Sequence, residues 1–472
     1  MRWVTFATVG SGVLAYVVVF IAATTLTADR FTEFIVLWSL CFAVIASLQG
    51  FMRTTSAGVR RAGAQQGRPI IDANDNGIDD AEELVISSGP LGLTVIEDRT
   101  ADEILAGRER TVPDPFPTSP NEPGARPVVA ALWAGTLVTA LTAAASPLWA
   151  PVLLVGMAQP LATLLFAVSA GLVVLQAALA GLLSGTGRWQ AFGWLISAEA
   201  AARLLVVIVA ACFGDIVSGL MYAAIAGAIV TPIMLFATPA GRACRKLRTD
   251  LPMPQFLLVA LAATGRSAIP SALIAGAPAL LRFLQPDIEP LVLGNLMLAL
   301  TMVRGAMLTP VTSFQNALTA YFHERQHRGI AALLVPTIWV VALGLPVSAL
   351  LWFLGPILLQ LVGPTYSLSG EAILLLSLGA AATAMLYITS AAVRAHHNYR
   401  ADTAGWSVAL LTTVAVLLVV ADPLTATTTA LLTGALAGVI TQLATGMRDG
   451  ITPVTPSPSP SPSPEPAKYL SH

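Results

Sequence analysis

Four ionisable side chains lie inside long apolar stretches of the sequence, where a charge is costly. Glu199 and Arg203 share one stretch, and Arg266 and Arg304 each lie in another. A charge near the centre of a bilayer costs at least about 2.5–3.5 kcal/mol, so it normally faces a cavity or a partner. Guanidinium groups stay charged and bind phosphate oxygens in pairs. Together these residues predict a positively charged chamber that would attract an anionic head group such as a pyrophosphate.

Each of these charges also has a purely structural interpretation. Arg203 follows Glu199 by four residues, so both lie on one helix face, where they would neutralise each other. The side chain of Arg266 could instead extend along its helix to the cytoplasmic surface. Arg304 lies far from either end of its stretch, which favours a place in the wall of a cavity.

A separate pattern predicts a metal site outside the apolar stretches. The segment IDANDNGIDDAEE, residues 71–83, spaces its oxygen-bearing side chains like an EF-hand calcium loop, with Gly77 at the sharp turn. Gly67 and Pro69 disfavour the helix that should enter such a loop, so the site would be weak, with a Kd of about 10⁻⁴–10⁻³ M. The alternative is a solvated acidic turn. The candidate calcium ligands are Asp72, Asn74, Asn76, Ile78 and Glu83. No other cofactor is expected.

Composition places most of the chain in a membrane. Of 472 residues, 56% are hydrophobic and only 11% are charged, whereas soluble domains carry about 25% charged residues. About 20 apolar residues cross a bilayer core of about 30 Å. The sequence therefore predicts an all-α integral membrane protein with about twelve transmembrane helices in two six-helix lobes. The predicted spans are residues 4–24, 32–52, 127–148, 158–183, 190–212, 216–238, 254–279, 288–313, 330–361, 370–393, 403–421 and 424–446.

The predicted spans divide the chain into two lobes and three additional segments. Residues 1–52 and 127–238 supply helices 1–2 and 3–6 of the N-lobe, and residues 254–446 supply the six helices of the C-lobe. A cytoplasmic acidic insert (53–126), a basic linker (239–253) and a disordered Ser/Pro tail (447–472) complete the chain. The segments LSGTGRWQA and VRAHHNYRA follow the fourth and tenth spans at an offset of 210 residues, as two parallel halves would require.

The distribution of arginine and lysine predicts the orientation in the membrane. These residues concentrate in one set of loops, above all in GRACRKLR (241–248), whereas the opposite loops hold only Arg30 and Arg282. Because basic loops remain in the cytoplasm, both termini and the insert are predicted to be cytoplasmic, in a bacterial plasma membrane. The first apolar run is longer than a typical signal sequence, so we expect it to be retained as a span.

The sequence also argues against several functions. Lys246 and Lys468 are its only lysines and neither follows a glycine, so the P-loop pattern GxxxxGK[ST] is absent. Three scattered cysteines form no zinc or disulfide pattern, and a net charge of −1 gives no indication of nucleic-acid binding. The short outer loops lack paired acids and the histidines form no nucleophile–base constellation. The protein is therefore predicted not to be an enzyme.

Three segments resemble the polysaccharide or O-antigen (Wzx-type) flippases of the multidrug/oligosaccharidyl-lipid/polysaccharide exporter (MOP) superfamily. They are VLWSLCFAVIASLQGFMRTT (36–55), GLLSGTGRWQAFG (181–193) and LVGPTYSLSG (361–370). The resemblance implies alternating access and outward movement of a polyprenyl-pyrophosphate-linked glycan through a cationic cavity between two lobes. Arg53 matches an arginine common at that place in the family. The insert and the Ser/Pro tail depart from the family pattern.

The partners implied are a lipid-linked glycan with an anionic pyrophosphate, the bilayer, and proteins of cell-envelope biosynthesis. Three other functions remain open at the level of sequence. A multidrug or ion antiporter of the same superfamily would need carboxylates in its cavity, where only Glu199 qualifies. An integral-membrane glycosyltransferase or polymerase is disfavoured by the short outer loops. A transport-inactive scaffold would be indicated if the arginines were paired or faced lipid.

Overall fold

The structure is a computed structural model that describes residues 2–65, 85–88, 94–97, 124–154, 159–213, 216–313, 315–325, 331–363, 365–396 and 398–448. Its helices are α1 (Arg2–Thr25), α2 (Ala28–Ser47), α3 (Gln49–Gln65), α4 (Pro127–Ala144), α5 (Ser146–Leu153), α6 (Gln159–Gly185), α7 (Trp189–Cys212), α8 (Ile216–Ala237), α9 (Pro239–Cys244), α10 (Met253–Ile274), α11 (Ala277–Leu284), α12 (Pro290–Ser313), α13 (Gln315–Glu324), α14 (Leu334–Val362), α15 (Gly370–Ala395), α16 (Tyr399–Val419) and α17 (Pro423–Arg448).

Among these described residues, ten helices are long and apolar enough to cross a membrane. One of them, Ala28–Gly63, joins α2 and α3 in a single span, and two shorter apolar helices, Gly10–Thr25 and Tyr222–Ala237, lie within α1 and α8. The prediction of an all-α integral membrane protein with about twelve spans is confirmed. The insert adds a small exception, a hairpin of β1 (Val85–Ser88) and β2 (Thr94–Glu97), in which Val85 pairs with Glu97.

The outer surface of the bundle explains why these helices need lipid. Large apolar side chains point outwards along α4, α7 and α14, including Trp133, Trp194 and Trp339. Exposed apolar area on this scale is stable only against another apolar surface. α14 runs without interruption through Pro346 and Pro356, although proline disfavours the interior of a helix. Its 29 residues extend about 43 Å, so tilting is the way it fits a core of about 30 Å.

The loops rich in arginine all lie on one side of the helix bundle, which we call the arginine-rich face. It lies at the end of α3, α6, α8 and α15 and at the start of α7, α10 and α16, and the sequence predicts that it is cytoplasmic. The other side is called the opposite face. The linker before α10 is attached to the N-lobe, because Ala125 N donates to Leu251 O at 2.7 Å and Thr249 N donates to Ala125 O at 2.9 Å.

Buried apolar residues are shared differently at the two faces. Towards the opposite face, one cluster combines N-lobe residues such as Phe31 and Phe34 with C-lobe residues such as Leu293 and Tyr366. Towards the arginine-rich face, the N-lobe has its own cluster, which α10 joins through Phe256, and the C-lobe has separate clusters on α15 and its neighbours. On the arginine-rich side α10 thus packs against the N-lobe, with the ring centroids of Phe51 and Phe256 5.8 Å apart, and a cavity lies between α3, α10 and the helices α15 and α16.

Candidate functional site

A cavity of about 430 Å³ lies between α3, α10, α15 and α16. Four arginines line it: Arg53 and Arg61 of α3, Arg266 of α10 and Arg394 of α15. Arg61 and Arg394 lie near the ends of their helices, so the cavity reaches the arginine-rich face, whereas Arg266 lies about 20 Å along α10 from its start. We call this space the arginine cavity. Arg266, from the predicted cationic chamber, and Arg53, from the family resemblance, both line it; their role in binding stays a prediction.

Two acidic side chains offset only part of this positive charge. Asp250 pairs with Arg61, with Nε and Oδ2 2.9 Å apart. Asp402, which also lines the cavity, accepts from Ser390 Oγ at 2.6 Å and lies 3.9 Å from Arg394 Nε. Four guanidinium groups against two carboxylates leave a net positive charge.

Two of the arginines have hydrogen-bond donors without an acceptor among the described residues. Nη2 of Arg394 is buried and has no hydrogen-bond partner in the described part of the chain. The exposed side chain of Arg266 forms no hydrogen bond or ion pair with any described residue. A buried guanidinium donor without an acceptor is unusual. The cavity is therefore equipped to accept an anion with several oxygens.

Arg304 has a different environment from Arg266. It is only 7% exposed, and its Nη1 donates to Ile274 O at 2.6 Å and its Nη2 to Leu273 O at 3.4 Å. These carbonyls belong to the C-terminal end of α10, where the helix leaves its last acceptors without intrahelical donors. Arg304 also lines a separate small cavity together with Trp38. It therefore caps α10 and lies at the wall of a cavity at the same time. A direct contact with substrate stays a prediction.

The Glu199–Arg203 pair lies in the N-lobe. The carboxylate accepts from Arg203 Nη2 and from Gln176 Nε2, so the ion pair that their spacing allows is formed. Both residues line a cavity of about 110 Å³ that is enclosed by α1, α2, α3, α6 and α7, which we call the N-lobe cavity. The Arg203 guanidinium also lies 5.9 Å from the ring centroid of Phe42. Arg203 is thus neutralised locally, and it does not add charge to the arginine cavity.

Sequence reasoning did not select Arg61, Arg394 or Asp402 as site residues. Arg61 falls in the predicted insert, and Arg394 follows the predicted span 370–393 directly, where an arginine ordinarily reaches the aqueous surface. One signal was present: Tyr387, Ser390 and Arg394 recur at helical spacing on one face of α15. All three line the arginine cavity.

The candidate calcium ligands Asp72, Asn74, Asn76, Ile78 and Glu83 lie outside the described residues. Within the described ranges, no group of three or more His, Cys, Asp or Glu side chains is arranged to hold a metal ion. The weak calcium site in the insert stays a prediction.

The lobes are closed against each other at the opposite face. Thr32 Oγ1 of α2 donates to Pro290 O at the start of α12, at 2.6 Å. Phe31 meets Tyr366 edge-on, with ring centroids 5.5 Å apart. Tyr366 belongs to the loop between α14 and α15, and burial raises its pKa to about 12. The arginine cavity is therefore accessible from the arginine-rich face in this conformation.

Three solved transporter structures share this arrangement of helices. An inward-facing multidrug resistance MATE family transporter of the MOP superfamily aligns with a TM-score of 0.62 over 93% of this chain and 94% of its own, at 12% identity. An outward-facing MATE structure aligns at 0.57 over 95% and 94%, also at 12% identity. A MOP superfamily transporter from Pyrococcus furiosus aligns at 0.57 over 94% of both chains, at 14% identity. The chain shares the fold of these transporters.

Sequence relatives narrow the assignment to a family. No protein-family model matches the chain. The uncharacterized protein Rv1510 of Mycobacterium tuberculosis H37Rv is 33% identical over 314 residues, which cover 66% of this chain and 72% of the relative. The uncharacterized protein Mb3654 of Mycobacterium bovis is 28% identical over 437 residues, which cover 92% of this chain and 88% of the relative. The chain belongs to the same family of mycobacterial proteins as Rv1510.

Proposed function

We propose that the protein is an alternating-access transporter that moves a polyprenyl-pyrophosphate-linked oligosaccharide from the cytoplasmic to the outer leaflet, for synthesis of a cell-surface polysaccharide. The observation that carries the proposal is the net positive arginine cavity. Pyrophosphate offers several charged oxygens within a small volume, which suits guanidinium groups that bind oxygens in pairs. Arg266 and Arg394 provide the donors that no described side chain satisfies.

The distribution of lobe contacts supports alternating access. The shared apolar cluster closes the opposite face, and the arginine cavity lies on the side where α15 and its neighbours form clusters apart from the one that the N-lobe shares with α10. A transporter that exchanges these two arrangements exposes one site to each side in turn. With the arginine-rich face in the cytoplasm, the conformation described here would receive a substrate synthesised inside the cell.

The charge of the cavity distinguishes this proposal from multidrug or cation transport. A cationic drug or a coupling cation needs an available carboxylate. Glu199 is engaged by Arg203 and Gln176, and Asp402 by Ser390 and Arg394. For the Pyrococcus furiosus transporter of the same fold, the reverse polarity of the binding pocket suggests a different function. We apply the same reasoning to this chain, in which the positive cavity favours an anionic substrate.

The proposal includes a setting for the protein. It would lie in the plasma membrane of a bacterium with both termini in the cytoplasm, beside cell-envelope biosynthesis proteins that supply the lipid-linked glycan and use it. The arginine distribution along the sequence supports this orientation.

The test is transport in liposomes. The full chain would be reconstituted with a short lipid-linked oligosaccharide in the inner leaflet, and its appearance outside would be followed with a lectin that cannot cross the membrane. We expect Arg266→Gln combined with Arg394→Gln to slow transport by tenfold or more, because each lost charge-assisted pair is worth about 1.5–3 kcal/mol.

Arg242→Gln is the matched control. Arg242 is an exposed cation on the same face, but it lies on α9, outside the lining of the arginine cavity. It should transport at the wild-type rate. The proposal fails if the wild-type protein does not accelerate the movement of the glycan, or if the double variant is as fast as the control.

A further inference from the structure

The N-lobe cavity has an aromatic wall, formed by two rings whose planes are tilted by 46°. Trp38 and Phe42 both line it, with ring centroids 4.8 Å apart, and Trp38 also stacks on Phe34 at 5.7 Å. The Trp38 ring is half-buried, and its indole N–H donates no hydrogen bond to a described residue. The negative face of an aromatic ring attracts C–H bonds that carry partial positive charge. This wall therefore suits a ligand with a polarised C–H face and an acceptor at its edge.

Around this wall stand polar groups that lack partners. Gln49 Oε1, Gln176 Oε1 and Arg203 Nε are all buried and have no hydrogen-bond partner in the described part of the chain, and all three residues line the N-lobe cavity. Such atoms need a partner when they are buried. Two acceptors beside a donor match hydroxyl groups, which both donate and accept.

The N-lobe cavity differs from the arginine cavity in charge. Glu199 neutralises Arg203, so the N-lobe cavity is polar but close to neutral. A second phosphate would find no excess cation there, and a cationic ligand would find no available carboxylate. A neutral ligand rich in hydroxyl groups, with one apolar face, is the chemical class that fits. A pyranose ring has these properties.

The two cavities adjoin each other. Gln49 of α3 lines both, so a ligand whose anionic part lies among Arg53, Arg266 and Arg394 would present its next group to the N-lobe. We infer that the N-lobe cavity binds the sugar ring attached to the pyrophosphate, with the ring stacked on Trp38 and its hydroxyls bonded to Gln49 and Gln176. This inference rests on the proposed function. It assigns the substrate to two subsites, one positively charged for the pyrophosphate and one close to neutral for the sugar.

Binding of two kinds of probe to the full chain in nanodiscs tests the inference. One probe is undecaprenyl pyrophosphate alone, and the other is the same lipid carrying N-acetylglucosamine, glucose or galactose. We expect at least one sugar-bearing lipid to bind about tenfold more tightly than the bare lipid, from one stacked face and one or two added hydrogen bonds. Trp38→Leu should remove this difference and leave the affinity of the bare lipid unchanged.

Trp194→Leu is the matched control, because this tryptophan of α7 is 64% exposed on the outer surface of the same lobe. It should retain the full difference. Saturation-transfer NMR on the wild-type protein gives a second measurement that does not depend on a folded variant. Saturation of aromatic protons should transfer to the C–H protons of the sugar.

The outcomes separate the two proposals. If the bare lipid binds but no sugar increases its affinity, or if Trp38→Leu weakens both probes equally, the sugar subsite is wrong and the pyrophosphate site stands. Absence of saturation transfer from protein to sugar also overturns the subsite. If neither kind of lipid binds to the wild-type protein, the proposed function itself falls.

Discussion

Arg266 and Arg304 look alike in the sequence, but loss of their charge should have different effects. Loss of the Arg304 charge should lower stability, whereas loss of the Arg266 charge should weaken substrate binding. Arg304 donates to two carbonyls at the end of α10, so Arg304→Met leaves two buried acceptors unsatisfied. A hydrogen bond to a charged group is worth about 1.5–3 kcal/mol, and the bond at 3.4 Å is the weaker of the two. Removing the cost of burying the charge offsets part of this loss. We expect a net destabilisation of about 2–3 kcal/mol.

The assay is thermal unfolding of the purified protein in detergent, followed in parallel with binding of undecaprenyl pyrophosphate. Arg304→Met should lower the Tm on the order of 5 °C, since 1 kcal/mol corresponds to about 2–4 °C in a large domain. Arg266→Gln should leave the Tm unchanged, because the Arg266 side chain makes no hydrogen bond or ion pair with described residues, and it should weaken binding about tenfold. The reasoning is refuted if Arg304→Met is as stable as wild type, or if Arg266→Gln is destabilised to the same extent.

Three further expectations concern packing, orientation and closure. A Cβ on Gly50 would collide with the backbone of Ala263 in α10, whereas Gly63 has open space around it. In a denaturant titration, Gly50→Ala should therefore lower the free energy of unfolding by about 1–3 kcal/mol, and Gly63→Ala should not lower it. Cys212 is exposed at the end of α7 near the opposite face, whereas burial raises the pKa of the Cys244 thiol to about 11. A membrane-impermeant maleimide at pH 7 should therefore label Cys212 in intact cells and leave Cys244 unmodified until the protein is unfolded. Labelling of Cys212 only after the cells are permeabilised would reverse the orientation. Thr32→Val removes a hydrogen bond to Pro290 O worth about 1 kcal/mol. Distances between spin labels on α2 and α12 at the opposite face should therefore show that the open population rises about fivefold. An unchanged distance distribution would mean that this hydrogen bond does not stabilise the closed face.

Most of the helical architecture was predictable because each span is a local property of the chain. The predicted span 370–393 corresponds to α15 (Gly370–Ala395), and 190–212 to α7 (Trp189–Cys212). Length and apolar content determine such helices almost alone, since an unpaired backbone group in lipid is too costly. The i, i+4 spacing of Glu199 and Arg203 likewise predicted a contact within one helix.

The composition of the site was less accessible, because its contacts join distant parts of the chain. Nothing local to Arg304 indicates that its acceptors are the carbonyls of Leu273 and Ile274, 30 residues earlier in another helix. Arg394 lies close to the end of an apolar stretch, where an arginine ordinarily reaches the aqueous surface. Only the packing of α15 against α16 brings it beside Asp402.

The apolar cluster that both lobes share at the opposite face has a thermodynamic consequence. Phe31, Phe34 and Leu293 have no accessible surface there, so opening that side would hydrate side chains that are now dry. Exposure of apolar surface to water increases the heat capacity, and the hydrophobic contribution that favours burial becomes weaker on cooling. The equilibrium between the two access states should therefore curve with temperature, and cooling should favour the state that is open at the opposite face.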